Sequence, residues 1–392
     1  MNGKDLRLRV ISAIGDVKAG AWDACANPAP AGYNPFISHD FLRCLEASGS
    51  ATARTGWQPQ HLLAEAHDGS ILGAVPCYLK SHSRGEYVFD RGWAEAYERA
   101  GGDYYPKLQV SVPFTPATGR RLLVRPGGES GLIRKGLAAG LIELCRRHRA
   151  SSVHVTFMPE DEWEFLAECG FLKRTDQQFH WENAGYGTFE DFLAALNARK
   201  RKTVKRERRE ALEAGISVHW LTGSDLTEQV WDAFFAFYME TGSRKWGRPY
   251  LTREFYSMVG ACMADRIVLI MARRNGRYIA GAINFIGSDT LFGRHWGAIE
   301  HHPFLHFEIC YYQAIEFAIA QKLVRVEAGA QGEHKLARGY MPTTTHSAHY
   351  IADPALRRAI AEYLVRERAG VEAFGEELAA AAPFRKDSAG HK

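Results

Sequence analysis

The sequence predicts a mixed α/β (α+β) fold, with mixed sheets flanked by helices, in which one order of elements is laid down twice. Three observations carry this. Both halves contain apolar runs of strand length with turn residues between them, amphipathic helical stretches fall at corresponding places in each half, and 392 residues exceed what one hydrophobic core usually organises. With 46% apolar and 24% charged residues, the composition is that of an ordinary globular protein.

In the first half, LRLRVISAI (6 to 14) reads as a strand, followed by helical stretches at Val17 to Ala26 and Ser38 to Ser48. Ser38 is the N-cap expected for the second of these. The apolar runs 60 to 66 and 71 to 79 flank His67-Asp68-Gly69-Ser70, a hairpin signal. Strands follow at 108 to 114 and 121 to 124. Leu132 to His148 is an amphipathic helix on the spacing of Leu137, Leu141, Leu144 and Cys145, then come a buried strand (152 to 158), a helix (160 to 168) and a last strand (171 to 181).

The second half repeats the plan. A strand at 216 to 221 precedes helices at 226 to 240 and 252 to 263. A hairpin (266 to 273 and 278 to 286) turns on Arg274-Asn275-Gly276-Arg277, and a strand at 290 to 297, a helix at 307 to 321, a strand at 323 to 329 and a return to the sheet at 340 to 350 complete it. Asn183 to Gly187 is the linker, and Thr188 with Asp191 forms a capping box for the helix beyond. The expected organisation is therefore a first module at 1 to 185, a second at 186 to 352, and a helical tail at 353 to 392 that opens at Pro354 after the cap Asp353 and frays from about Pro383. This order, occurring twice, resembles tandem GNAT-like acyltransferase modules.

Several function classes are excluded or demoted. The N-terminus has no apolar signal-peptide core, and no stretch reaches the roughly 18 apolar residues of a membrane span. A cytoplasmic protein without integral membrane contact is expected. Seven scattered cysteines lack a C-x-x-C pair, and adjacent His301 and His302 point apart, so no metal is expected. A net charge of +4 does not by itself make a nucleic-acid binder.

Local charge is more informative. Between Arg199 and Arg209, eight basic residues stand against one acid, Glu207. So dense a run repels itself unless anions or solvent screen it. Arg199, Lys200, Arg201, Lys202, Lys205 and Arg206 are therefore candidates for binding phosphate, with a solvated helix face as the plain alternative.

Residues 291 to 340 form a second dense segment. Arg294, His295, Trp296, His306 and Glu308 precede or open a helix, while Glu327, Gln331, Glu333, His334, Lys335 and Tyr340 follow a strand. In an open α/β sheet such positions converge on the ligand crevice. A general base for amine acylation needs a pKa near working pH, which leaves His334, Glu308, Glu327 and Glu333 as candidates. Arg294, Lys335 and Tyr340 are expected to orient substrate or stabilise an oxyanion. In the first half, residues 82 to 119 mix aromatic and charged side chains, so Asp90, Trp93, Tyr104, Tyr105, Lys107 and Thr115 are candidate substrate contacts; an ordered loop with packed aromatics is the alternative.

The stretches GWQPQHLLAEAHDG, PCYLKSHSRGEYVFDRGWAEAY, YYPKLQVSVPFTPATGRRLL, GRHWG, HFEICYYQAIEFAI and EAGAQGEHKLARGYMP resemble the bacterial FemAB-like family of predicted N-acyltransferases associated with peptidoglycan biosynthesis. The resemblance covers roughly residues 36 to 350. It implies a tandem GNAT-like fold related to the Fem ligases, which move amino acids from aminoacyl-tRNA onto cell-wall precursors. The basic run is similar to the Lys/Arg-rich helix that opens their second module. The Gly-rich pyrophosphate loop of acetyl-CoA-dependent GNAT enzymes has no counterpart between Gly297 and Phe307. The function expected is N-acyl transfer to an amine bound between the modules. Acyl-CoA or aminoacyl-tRNA would be the donor, no cofactor would be tightly bound, and the acceptor would be a small-molecule or cell-wall-precursor amine. A tRNA-dependent ligase, or a binding protein on the same fold, is the alternative.

Overall fold

Pro76 interrupts what the sequence presents as one apolar run from Ile71 to Leu79. Proline has no N–H for a sheet ladder, so the strand ends there. In the computed structural model, which describes residues 6–246, 249–329 and 332–385, Ile71–Val75 pairs with His61–Glu65, whereas Cys77–Lys80 joins a different sheet.

The chain divides into two units, residues 1–176 with 250–255 and 344–372, and residues 177–249 with 256–343 and 373–392. This differs from modules cut at 185 and 352. Residues 177 to 185 join the second unit, and the helix Pro354–Ala380 is divided between the two units instead of forming a separate tail. Asp353 caps that helix as expected, its carboxylate accepting from the Leu356 N–H at 2.7 Å.

In the first unit a four-stranded antiparallel sheet runs Arg7–Ile11, His61–Glu65, Ile71–Val75, Leu123–Val124. Strands Trp57–Pro59, Cys77–Lys80, Lys107–Val110, Ser152–Met158 and the latter part of Met341–Ile351 pair in that order, with the Lys107–Val110/Ser152–Met158 pair parallel. Every residue of Ser152–Met158 is buried, as the near-continuous apolar run of a covered strand predicts. The helix Ser130–Arg147 buries Leu137, Leu141 and Leu144 in this core, and Ser38 caps the helix His39–Ala47 by accepting from the Phe41 N–H.

The second unit orders Ser217–Leu221, Ile267–Arg274, Arg277–Ile286, Thr290–Ala298, Arg325–Glu327 and residues 177 to 182 of Leu172–Glu182. Again one pair is parallel, Thr290–Ala298 with Arg325–Glu327, and again a helical segment, residues 305–320, connects it. Each unit thus carries the same plan, a mixed sheet with one parallel pair and flanking helices. The Thr188/Asp191 capping box forms at the helix Phe189–Ala195, and Asn197 caps the basic helix Ala198–Leu212 through the Lys200 N–H at 2.9 Å. Residues 383 to 385 do not fray. The Asn197 N–H donates to Pro383 O, the Arg385 N–H donates to Ala195 O, and Phe384 bridges to Leu196. No helix among the described residues is long and apolar enough to cross a membrane.

Close packing makes one glycine irreplaceable. A Cβ at Gly297 would collide with the backbone carbonyl of Phe237, whereas one at Gly370 meets nothing. Gly297→Ala is expected to cost about 3 kcal/mol and lower the melting temperature by roughly 6–12 °C. Gly370→Ala, inside a helix, is expected to gain about 0.5–1 kcal/mol. Thermal denaturation followed by circular dichroism reads both.

Candidate active site in the second unit

The two parallel strands of the second unit part company early. Thr290, Leu291 and Phe292 pair with Arg325, Val326 and Glu327, and beyond them the strand from Gly293 to Ala298 keeps only its antiparallel neighbour. The register of that neighbour shows why the strand turns. Ile283 faces His295 and Asn284 faces Gly293, so Arg294 is one extra residue, a β-bulge of the kind that re-aims a side chain. Gly293 sits at the closest approach, where a Cβ would lie 3.5 Å from Glu327 O and 3.7 Å from the Ala328 Cα.

The helix expected over 307 to 321 is three pieces, with a π turn at Glu308–Tyr312 between Leu305–Phe307 and Gln313–Ala320. Such turns cluster at functional sites because they displace side chains from the regular ladder. Glu308 is wholly buried. Its carboxylate receives Arg208 Nε (3.0 Å) and Nη2 (2.9 Å) and Gln313 Nε2 (2.8 Å). Arg208 also reaches Glu316 at 2.7 Å. A carboxylate so enclosed is held as an ion pair.

Glu333, His334 and Lys335 do not form an open loop. They begin a short 3-10 helix, Glu333–Arg338, set between Gly332 (φ 120°) and Gly339 (φ 89°), left-handed positions that favour glycine. Glu333 and His334 are exposed. The His334 Nε2 lies 2.9 Å from the Tyr311 hydroxyl, and its ring packs against His306 and Phe307. Lys335 is only 2% exposed. Its ammonium donates to Gly329 O at 2.9 Å, just beyond the parting strands, and burial, opposed by Cys310 and reinforced by Arg294, lowers its pKa to about 8. Tyr340 is fully buried with its hydroxyl 3.3 Å from Tyr311 O, and burial first, then Tyr311, pushes it well above its ordinary value.

Arg338, absent from the sequence candidates, anchors the turn. Its Nη2 donates to both Glu207 oxygens (2.9 and 3.0 Å), its Nη1 donates to His334 O (2.7 Å), and its guanidinium covers the Phe307 ring at 3.4 Å. Tyr312 donates a short hydrogen bond to the same Glu207. The single acid in the basic run was the available signal for this. In the first turns of that helix Arg199 and Lys202 are exposed and Lys200 and Arg201 half-buried, and none of the four side chains has a partner among the described residues. Lys205 pairs with Glu190 and Arg206 with Glu210.

A cavity of about 590 Å³ opens where the strand Thr290–Ala298 leads into the helical segment, lined by Glu240, Thr241, Trp296, Glu300, Phe304 and His306 among others. Trp296 and His306 meet edge to face at 5.2 Å. His295 points elsewhere, into the core against Tyr238, and burial, with Arg294 nearby, lowers it to about 3. Glu327 is buried, with its backbone opposite His180. Gln331 lies outside the described residues.

The first-unit candidates form a buried network of their own. Lys107 is held by Asp90 in a short contact, by Glu86 at 2.7 Å and by Ser83 at 2.8 Å; Tyr104 donates to Asp90 at 2.7 Å, and Tyr105 meets Ser83 at 2.8 Å. Asp90, Tyr104 and Lys107 are at most 2% exposed, so their charges and hydroxyl satisfy one another under cover. Burial works to raise Asp90, but Lys107 outweighs it and holds the carboxyl well down. Trp93 stacks on His154 beneath Arg174, and Thr115 donates to Pro113 O.

Comparison with known proteins agrees with this architecture. The profile of the FemAB-like family, described as peptidoglycan biosynthesis/recognition, matches residues 13–386. Among solved structures, FemX superposes with a TM-score of 0.53 at 11% identity, covering 91% of this chain and all of that one. A conserved protein of unknown function from Bacteroides thetaiotaomicron gives 0.50 at 12% identity over 88% and 99% of the two chains. A tandem GNAT protein from the clavulanic acid pathway gives 0.46 at 15% over 89% and 99%. No curated protein matches the sequence. The family model and the FemX-like fold thus agree over nearly the whole chain.

The buried ions generate two expectations. Arg338→Met leaves Glu207 buried without its charge partner and is expected to cost about 3–5 kcal/mol in urea denaturation. Lys335 binds a proton less readily folded than unfolded, so the native state gains stability as pH rises from about 8 toward the ordinary lysine value of 10.5. Lys335→Met is expected to abolish that gain, which amounts to about 3 kcal/mol at most. Urea midpoints at pH 7.5 and 10 for both proteins provide the comparison.

Proposed function

The chain belongs to the FemAB-like family, and on that premise we propose that it transfers an acyl or aminoacyl group from a phosphate-bearing donor to an amine, using the parted strands of the second unit. The observation that carries the proposal is that Lys335, on Gly329 O and within the field of the bulged Arg294, stands next to His334, on Tyr311, just beyond the point where the parallel pair separates.

The reaction requires three things of the residues: a base, oxyanion donors and a grip on phosphate. The amine nitrogen attacks the donor carbonyl, a C–N bond forms, and the ester or thioester bond breaks. The amine proton leaves during attack, His334 is the group suited to take it, and the proton then passes to the departing oxygen or sulfur. Of the four candidate bases, Glu308 and Glu327 are buried and Glu308 is ion-paired, while His334 is exposed and oriented by a tyrosine hydroxyl. The oxyanion needs preorganised donors, and the Lys335 ammonium and the Arg294 guanidinium supply them in a poorly hydrated position. Arg199, Lys200, Arg201 and Lys202, without partners among the described residues, hold the donor phosphates. Acyl-CoA and aminoacyl-tRNA both carry such phosphates. The FemAB-like resemblance favours the latter, with a cell-wall-precursor amine as acceptor.

The proposal is tested by incubating the full chain with radiolabelled aminoacyl-tRNA or with labelled acetyl-CoA, in the presence of amine acceptors that include nucleotide-linked muramyl peptides. Label should pass to one acceptor from one donor. His334→Ala is expected to slow transfer by about 10²–10⁴-fold with its melting temperature retained. Transfer at the wild-type rate by both His334→Ala and Lys335→Met, or no transfer from either donor, would overturn the mechanism.

A further inference from the structure

We infer that the cavity at the head of the helical segment 305–320 receives an amino-bearing nucleobase whose phosphates lie along the exposed face of the basic helix. The inference rests on the proposed phosphate-binding role of that helix and adds what is recognised at the other end of the ligand.

The cavity and the helix are physically joined. The Arg206 guanidinium lies 6.0 Å from the centre of the Phe304 ring, and Phe304 lines the cavity. Arg199, Lys202 and Arg206 recur at three- and four-residue spacing, so they share one face, and all three are exposed. Along the axis they span roughly 10 Å, room for two or more phosphates.

The interior has the opposite character. Its rings, Trp296, Phe304 and His306, offer flat apolar faces, and base-on-aromatic stacking contributes about 1–3 kcal/mol in such sites. Its polar groups include two carboxylates beside Thr241, His301 and His302. Glu300 receives Arg274 (2.9 and 2.7 Å) and His302 (2.9 Å), and all three contacts fall on Oε2, which leaves Oε1 without a partner among the described residues. The carboxylate of Glu240 lines the same space. The exposed cations of the helix attract the phosphates, which leaves the cavity to the base. A ring edge that donates N–H to a carboxylate, as the exocyclic amine of adenine or cytosine does, satisfies Glu300 Oε1. Uracil has no such amine. About 590 Å³ lies within the usual range of about 300–1,000 Å³ for small-ligand sites.

The shared chemistry, an aminated base with phosphate, has two sources: a free nucleotide such as that in coenzyme A, or the adenosine end of an RNA. Equilibrium dialysis of the full chain against ADP, UDP, orthophosphate, coenzyme A and a short RNA ending in adenosine separates them. ADP should bind at least about tenfold more tightly than UDP. Glu300→Gln should reduce that preference to less than about threefold with orthophosphate binding unchanged, and Arg206→Gln should weaken ADP and UDP alike. RNA displacing ADP more effectively than coenzyme A does identifies the RNA end, and the reverse identifies the free nucleotide. If Glu300→Gln fails to melt cooperatively, Trp296→Leu replaces it, with an expected loss of about tenfold for ADP. Equal binding of ADP and UDP by the native chain, no binding of either, or a base preference that survives both variants would overturn the inference. Dialysis involves no acyl group, so its failure alongside His334-dependent transfer removes only the base site. Binding without transfer removes only the catalytic proposal.

Discussion

Glu207 receives Arg338 through both carboxylate oxygens and Tyr312 through its hydroxyl, and the rest of the second unit's site is arranged around that contact. Arg338 in turn holds the carbonyl of His334 and covers Phe307, so one buried carboxylate links the basic helix, the π turn and the short helix that carries His334 and Lys335. A charge taken out of water must be paired, and pairing fixes geometry because each lone pair needs its donor. The next residue, Arg208, repeats the device with opposite sign, its partner being the wholly buried Glu308. The basic helix is therefore docked by two adjacent, oppositely charged residues, while Arg199, Lys202, Lys205, Arg206 and Arg209 remain exposed.

Ionic burial of the same kind stabilises the first unit. Lys107 between Asp90 and Glu86, with Tyr104 and Ser83 completing the donors and acceptors, uses residue types that look like a binding wall and are instead an internal polar core. The contrast between the units is one of exposure. In the first, the charged groups satisfy one another under cover. In the second, His334 and the helix cations remain accessible while their supports are buried.

Much of this was legible beforehand. Alternating and continuous apolar runs marked the strands, and Ser38, Thr188 and Asp353 marked helix starts. The π turn was not legible, because Glu308 to Tyr312 read as a continuous helix and the extra residue appears only when Tyr312 is drawn to Glu207. The partner of Glu308 was not legible either: Arg294 and Arg208 are equally good cations in sequence, and only the folded chain brings Arg208 to the carboxylate. Phe384 and its neighbours read as a frayed end because their contact with Leu196 spans most of the second half of the chain.

By itself, the sequence determined what depends on near neighbours: periodicity, capping, the turns, the density of positive charge from Arg199 to Arg209, and the duplication of one α/β plan. Tertiary structure alone decided which ionisable groups are buried in pairs and which are left accessible. The reason is that solvation and partnership of a charge are set by whatever packs against it. For Glu207, Glu308 and Lys107 those partners are side chains remote in sequence or shielded by a remote core, and local pattern carries no record of them.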